Sequence, residues 1–289
     1  MNQTILITGT STGFGKLIAQ TSVKKGHTVI ATMRDADDKN KANAEELINF
    51  SADQPGSLEV VSLDVASGES VAQALKDILS RHDKIDVLVN NAGIGGGGIT
   101  EGFTTDQFEQ IMNVNVLGVH RVIKGILPTM RKISSGLIIN ISSVMGRIII
   151  PFATAYTTSK YALEGYTESL KYELKGVGID VAVVEPGGFG TNFFGNMMPP
   201  ADTEAVDSYG AYKDVPDKMW GSFAQAFQSD SAPDPQDVAD AIDKLIDMPK
   251  GQRPTRTVVD PMSGGEAPTA INQTTDNIQK ELLESFGMG

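Results

Sequence analysis

The chain has 289 residues and carries 24 Lys and Arg against 36 Asp and Glu, a formal charge of −12. That negative excess argues against nucleic acid or an anionic membrane as a partner. The absence of Cys, with only His27, His82 and His120 scattered along the chain, argues against disulfides, thiol chemistry and a catalytic metal.

No apolar run approaches the roughly twenty residues of a membrane span, and the first strand pattern starts almost at once, so a soluble cytoplasmic protein is expected. Thr4 to Thr8 reads as a short buried strand without polar alternation. Gly9-Thr-Ser11-Thr12-Gly13-Phe14-Gly15 follows, then helical character from Lys16. Strand, glycine-rich turn and helix start set backbone N–H groups and the positive end of a helix dipole where a pyrophosphate can sit. The spacing is G-x-x-x-G-x-G rather than G-x-G-x-x-G.

Two other readings of this turn fail. Gly9-x-Ser11-x-Gly13 matches a hydrolase nucleophile elbow, but that arrangement needs a later His, and none follows His120. A phosphate-binding P-loop would need Gly at Thr10 and Ser or Thr at Leu17.

The second strand, 28–33, ends at Met33 and is followed by Arg34 and Asp35. An acid there would bond the ribose 2′-hydroxyl of NAD, whereas an arginine would receive the 2′-phosphate of NADP. Arg34 directly follows the strand, so NADP(H) is preferred over NAD(H). Asp35 is expected to open a turn or to cap the helix over 41–48. Further strands are expected at 58–62, 86–90, 136–141, 180–185 and 255–259, with long helices at 104–131 and 153–175. Phe189 to Phe227 is rich in Phe, Met, Tyr and Trp, and a helix begins near Pro235. The final segment holds a Gly-Pro-Thr-rich stretch and then an amphipathic helix, Thr275 to Phe286.

Tyr156 and Lys160 lie four apart on the second long helix and therefore share a face. Free tyrosine, with a pKa of roughly 10, is a poor acid or base near neutrality, and a nearby cation favours its phenolate. Ser143 stands at the end of the strand before it. The three form an acid/base group suited to a carbonyl or an alcohol.

Thr8-Gly9-x-x-x-Gly13-x-Gly15, Leu63-Asp64-Val65, Asn90-Asn91-Ala92-Gly93, Asn115, Ser143, Tyr156-x-x-x-Lys160 and Pro186-Gly187-x-x-x-Thr191 occur together over residues 4–191. In order and spacing they resemble the short-chain dehydrogenase/reductase family. The resemblance implies a Rossmann-type, doubly wound α/β fold: one domain over 1–289, a mainly parallel seven-stranded sheet and helices on both faces. It also implies a substrate-lid insertion at 189–232 and a C-terminal tail at 261–289.

The same resemblance implies that the turn residues Gly9, Ser11, Thr12, Gly13, Phe14 and Gly15 hold the cofactor. Asp64 and Val65 would border the adenine, and Asn91, Ala92 and Gly93 the cofactor's edge. Pro186, Gly187 and Thr191 would lie beside the nicotinamide carboxamide. Lys160 would bond the nicotinamide ribose and lower the pKa of Tyr156, while Asn115 would hold a water of the proton relay. The bland alternatives are that Asn90 and Asn91 make a turn and that the Asn115 amide satisfies buried backbone.

A substrate would meet Ile94–Thr100, Ile148–Phe152 and Phe189–Phe227. The long lid and the run Ala-Thr-Met-Arg-Asp resemble the branch of hydroxysteroid and retinol dehydrogenases. A bulky apolar ketone, aldehyde or secondary alcohol is the implied substrate, although the same aromatic residues also suit a core or a subunit contact. The family often pairs through the helices at 104–131 and 153–175, implying a homodimer or homotetramer. The competing reading is a non-catalytic NADP(H) sensor, which needs the glycine turn but no proton relay.

Overall fold

The computed structural model describes residues 2–227, 229 and 232–287; the expected lid and tail also extend over 228, 230, 231, 288 and 289, which lie outside the described residues, as does Met1. Seven strands form one sheet: β1 (Thr4–Thr8), β2 (Thr28–Met33), β3 (Ser57–Ser62), β4 (Val87–Asn90), β5 (Gly136–Ile141), β6 (Ile179–Pro186) and β7 (Arg256–Val259). Their order is β3-β2-β1-β4-β5-β6-β7 and every pairing is parallel. The expectation of a mainly parallel sheet is thus met by a wholly parallel one.

Side chains alternate across the sheet, and both faces are buried. Ile5, Ile7, Val29, Ala31, Val87 and Val89 enter one core, beneath α1 (Gly13–Lys24), α2 (Lys41–Ser51) and α9 (Gln236–Asp247). Leu6, Ile30, Leu88 and Ile138 enter the other, beneath α3 (Gly68–Arg81), α5 (Val119–Lys132) and α6 (Thr154–Lys175), while α4 (Thr105–Met112) precedes α5. Each fully buried aliphatic side chain contributes about 1.5–3 kcal/mol. In α9 the buried residues are Val238, Ala239, Ile242, Leu245 and Ile246, a helical stripe facing the sheet.

The expected long helical stretch over 104–131 is present as a continuous run from Thr105 to Lys132 with one π-helical turn inside it. Between α4 and α5 a π-helical turn runs from Asn113 to Gly118, carrying Asn115 into the interior. Such turns inside α-helices are frequent at functional sites. Asp35 opens a turn rather than capping α2: it adopts φ 48° and its carbonyl accepts from the N–H groups of Asp38 and Asn40.

The segment expected to form a lid, 189–232, contains α7 (Thr203–Asp207) and α8 (Val215–Ala226) among its described residues. It lies on the glycine run Gly95–Gly98, pairing Gly96 with Met198. A Cβ on Gly98 would stand 2.5 Å from Pro200 Cγ, and one on Gly97 2.9 Å from Trp220 Nε1. These glycines are small so that the lid can approach.

The terminal helix is longer than the sequence suggests. α10 spans Glu266–Ser285, because Gly265 at φ 65° turns the chain and Pro268 falls in the first turn, where no N–H is needed.

Candidate active site

The sheet order reverses between β1 and β4, and crevices at the carboxyl ends of parallel strands form at such a point. Here the crevice is a cleft of about 950 Å³. Its floor is the turn after β1. Gly9 adopts φ 73°, and a Cβ there would stand 2.7 Å from Ala92 Cα. A Cβ on Gly15 would overlap the Gly9 carbonyl oxygen and the Asn91 amide nitrogen. Asn91 Nδ2 donates to the carbonyls of Thr8 and Gly9, both at 2.9 Å, while Thr8 Oγ1 accepts from the N–H groups of Asn91 and Ala92. Asn91 therefore borders the cleft and also bolts the end of β4 to the glycine turn.

Gly9, Ser11, Thr12, Gly13, Phe14, Arg34, Asp64, Val65, Asn91, Ala92, Gly93, Pro186, Gly187 and Thr191 all line the cleft, with Ser143, Tyr156 and Lys160. Gly15 and Asn115 lie behind the lining. Gly15 serves the close approach of α1 to the turn. The Asn115 side chain accepts from Ile94 N–H and donates to the Ile94 carbonyl and to Ser159 Oγ, each at 2.9 Å. Its amide thus holds the wall beside Gly93 and is not aimed into the cleft, as the bland alternative anticipates; a relay water would have to use its main chain.

Ser143 follows β5 and caps the short turn Val144–Gly146, accepting from Met145 N–H at 3.1 Å. Tyr156 and Lys160, on the buried face of α6, are 8% and 6% exposed. The Lys160 ammonium donates to the Ile141 carbonyl at 2.8 Å and stands 5.5 Å from the Tyr156 ring centre. Burial pushes the Tyr156 phenol up to about 12, with Ser143 opposing, and lowers Lys160 to about 8, with Glu164 opposing. Desolvation of the phenolate thus sets the direction of the Tyr156 shift, opposite to the depression expected from Lys160.

The three nominated substrate segments contribute unequally. Ile94 and Gly95 reach the cleft, Gly96–Gly98 lie under the 189–232 segment, Ile99 is buried and Thr100 is exposed. Ile148 and Ile150 face inward, but Ile149 is 68% exposed. From the lid, Phe193, Phe194, Met197, Trp220, Phe223 and Phe227 line the cleft, while Tyr209 and Tyr212 point away. Phe193 packs on Tyr156 with ring centres 5.2 Å apart, and Phe194 stacks on Phe227 at 4.9 Å.

Sequence reasoning gave no site role to Asn40, Leu63, Ser142, Asp260, Met262 or Ser263, and all six line the cleft. Asp260 accepts from the Ser263 hydroxyl and lies against Gly187, where a Cβ would overlap it. Its signal was its place just beyond β7, at the same carboxyl edge as the other site residues.

The family model for short chain dehydrogenases matches residues 3–201. The chain belongs to the short-chain dehydrogenase/reductase family. A 3-ketodihydrosphingosine reductase of Bacteroides thetaiotaomicron is 42% identical over 194 residues, 67% of this chain and 66% of that protein. Human retinol dehydrogenase 8 is 36% identical over 258 residues, 84% of this chain and 78% of that protein. Among solved structures, a short-chain dehydrogenase from Streptomyces avermitilis superposes with a TM-score of 0.76 at 33% identity, covering 98% of this chain and 96% of its own. The chain is thus an oxidoreductase of this family, resembling its retinol and hydroxysteroid dehydrogenases. Among the described residues, no helix is long and apolar enough to cross a membrane.

Proposed function

We infer that this short-chain dehydrogenase/reductase reduces a bulky apolar ketone or aldehyde, or oxidises the matching secondary alcohol, with NADP(H) preferred over NAD(H). The carrying observation is that Ser143, Tyr156 and Lys160 share one cleft with the glycine turn and a lid of aromatic side chains.

The residues present fit a dinucleotide. Gly9 and Gly13 adopt φ 73° and 58°, leaving bare backbone at these two positions of the cleft floor at the start of α1. Arg34 lines the cleft beyond β2 and Asp35 does not, which supports a 2′-phosphate over a bare ribose. Asp64 and Val65 would border the adenine, Lys160 the nicotinamide ribose, and Pro186, Gly187 and Thr191 the carboxamide end. When bound, the nicotinamide supplies or accepts the hydride.

The chain's own residues manage the oxygen. In reduction Tyr156 donates its phenolic proton to the developing alkoxide, and Ser143 Oγ donates a hydrogen bond to the same atom. Lys160 places a positive charge beside the phenol and stabilises the phenolate left behind. The apolar wall of Phe193, Met197, Trp220 and Phe223 would exclude water and hold the rest of the substrate.

Self-association through α4, α5 and α6 belongs to the same reading: Leu117 and Tyr161 project outward, 49% and 41% exposed. The sensor reading leaves the clustered Ser143, Tyr156 and Lys160 without a task, and the named relatives lend it no support. Cofactor consumption against a panel of ketones and aldehydes, with NADPH and NADH side by side, tests the proposal. Turnover favouring NADPH is expected; tight binding without turnover of any panel member would favour the sensor.

A further inference from the structure

Three chain segments that deliver site residues also carry four polar side chains that meet in one place at and behind the cleft wall. Ser142 precedes Ser143, Arg147 follows the Val144–Gly146 turn, Glu164 lies one helical turn beyond Lys160, and Glu185 precedes Pro186. Glu164 sits directly beneath the serine turn: a Cβ on Gly146 would be 2.9 Å from Glu164 Cγ and 2.8 Å from Ser142 Oγ. The side chains of Glu164 and Glu185 are 3% and 0% exposed.

Arg256, on β7 and 3% exposed in its side chain, is the cation between them. Its Nε is 3.1 Å from Glu164 Oε2 and 3.6 Å from Glu185 Oε1. Its other nitrogens reach Glu168 at 2.5 Å and Asp276 of α10 at 2.9 Å. Helix α10 engages the cluster twice more: Asn272 Nδ2 donates to Glu185 Oε2 at 2.7 Å, and Arg147 donates to Thr275 Oγ1 at 2.9 Å.

Buried acceptors outnumber donors in the cluster: Glu164 Oε1, Glu185 Oε1 and Asn272 Oδ1 stand without a hydrogen-bond partner, against the buried donors Ser142 Oγ, which lies beside Glu164, and Arg147 Nε. Glu164, Glu185, Glu168 and Asp276 face the Arg256 guanidinium, with Arg147 as the second cation, which leaves a surplus of negative charge around two fully buried carboxylates. A proton held there removes one charge and supplies the missing donor.

We propose that Glu164 and Glu185 share one proton and, with Arg256, form a positioning cluster that ties the backbone carrying Ser143 and Pro186 to the C-terminal helix. The inference takes its catalytic meaning from the reading above, but the proton and the helix are testable without turnover.

The charged and polar groups facing Glu185 are Glu164 from α6, Arg256 from β7, Arg147 beyond the serine turn and Asn272 from α10. Burial first, then the Glu164 charge, raises Glu185 from 4.5 to about 8, while Asn272, Arg256 and Arg147 oppose the rise. The linkage sign follows. From the ordinary carboxyl range up to about 8 the folded protein keeps a proton that the unfolded chain has lost, so stability falls as pH rises through that window and levels off above it. Glu185→Gln imitates the protonated state and removes the dependence.

Infrared spectroscopy of the wild-type protein at neutral pH should show the carbonyl stretch of a protonated carboxyl, fading as pH passes about 8. The band should be lost in Glu185→Gln. Wild-type Tm should fall from about pH 6 to about pH 9 while that of Glu185→Gln stays flatter, and the intrinsic-rate-corrected exchange protection of α10 should follow the same pattern. No protonated-carboxyl band at neutral pH, or a variant whose Tm and α10 protection track the wild type with pH, would overturn the proposal. The wild-type band decides the shared proton even if the variant does not fold. A protein that passes these tests yet turns over no carbonyl would overturn the functional reading alone.

Discussion

The Lys160 ammonium lies 5.5 Å from the centre of the Tyr156 ring and is anchored to the Ile141 carbonyl at 2.8 Å. It acts on the phenol through space rather than through a direct bond. Tyr156→Phe removes the proton donor while keeping the ring that packs on Phe193. Turnover should fall by about 10²–10⁴-fold with Tm little changed, as read by steady-state kinetics beside thermal unfolding. Retention of most of the wild-type kcat would remove Tyr156 from the acid's role.

Burial brings Lys160 down to about 8. Lys160 is cationic below that value and neutral above it. The kcat/KM for reduction should therefore decline as pH rises through about 8, because the charge that stabilises the Tyr156 phenolate is lost. Lys160→Met should lower the rate at all pH values and abolish this limb. A reduction profile flat across that range would detach Lys160 from the proton chemistry.

Much of this arrangement is legible in the sequence because it depends on local chain geometry. The strand, glycine turn and helix at Thr4–Lys24, and the four-residue spacing of Tyr156 and Lys160, follow from backbone conformation and helical period. Other features depend on what a residue meets in space. Asn115 reads as a relay residue, yet its amide is occupied by Ile94 and Ser159, because a π-helical turn directs it into the wall. Glu164 and Glu185 look like ordinary charges 21 positions apart, and only the pairing of β6 with β7 brings Arg256 between them. The direction of the Tyr156 shift likewise depends on depth of burial, which the sequence does not show, beside the neighbouring cation, which it does.

Arg34 is exposed at the mouth of the cleft, and its backbone is fixed by Asn40 Nδ2, which donates to the Arg34 carbonyl at 2.7 Å. Arg34→Gln removes the charge without disturbing that anchor. The KM for NADPH should rise by about 10-fold or more, on the order of one charge-assisted hydrogen bond, while the KM for NADH stays within about 2-fold. Equal effects on both cofactors would place the 2′-phosphate elsewhere.

The lid offers a separation of packing from substrate contact. Gly98 has φ 143°, and a Cβ there would lie 2.5 Å from Pro200 Cγ, so Gly98→Ala forces the lid off its seat. Its cost should be about 1–3 kcal/mol, seen as a lower Tm. Trp220→Ala instead removes cleft lining from α8. If the aromatic wall grips an apolar substrate, Trp220→Ala should raise KM for a bulky ketone by about 10-fold while hardly affecting a small one, since each buried CH₂ contributes about 0.8 kcal/mol. Should both substrates suffer alike, Trp220 would be holding the lid itself, and the bulky-substrate reading would lose its main support.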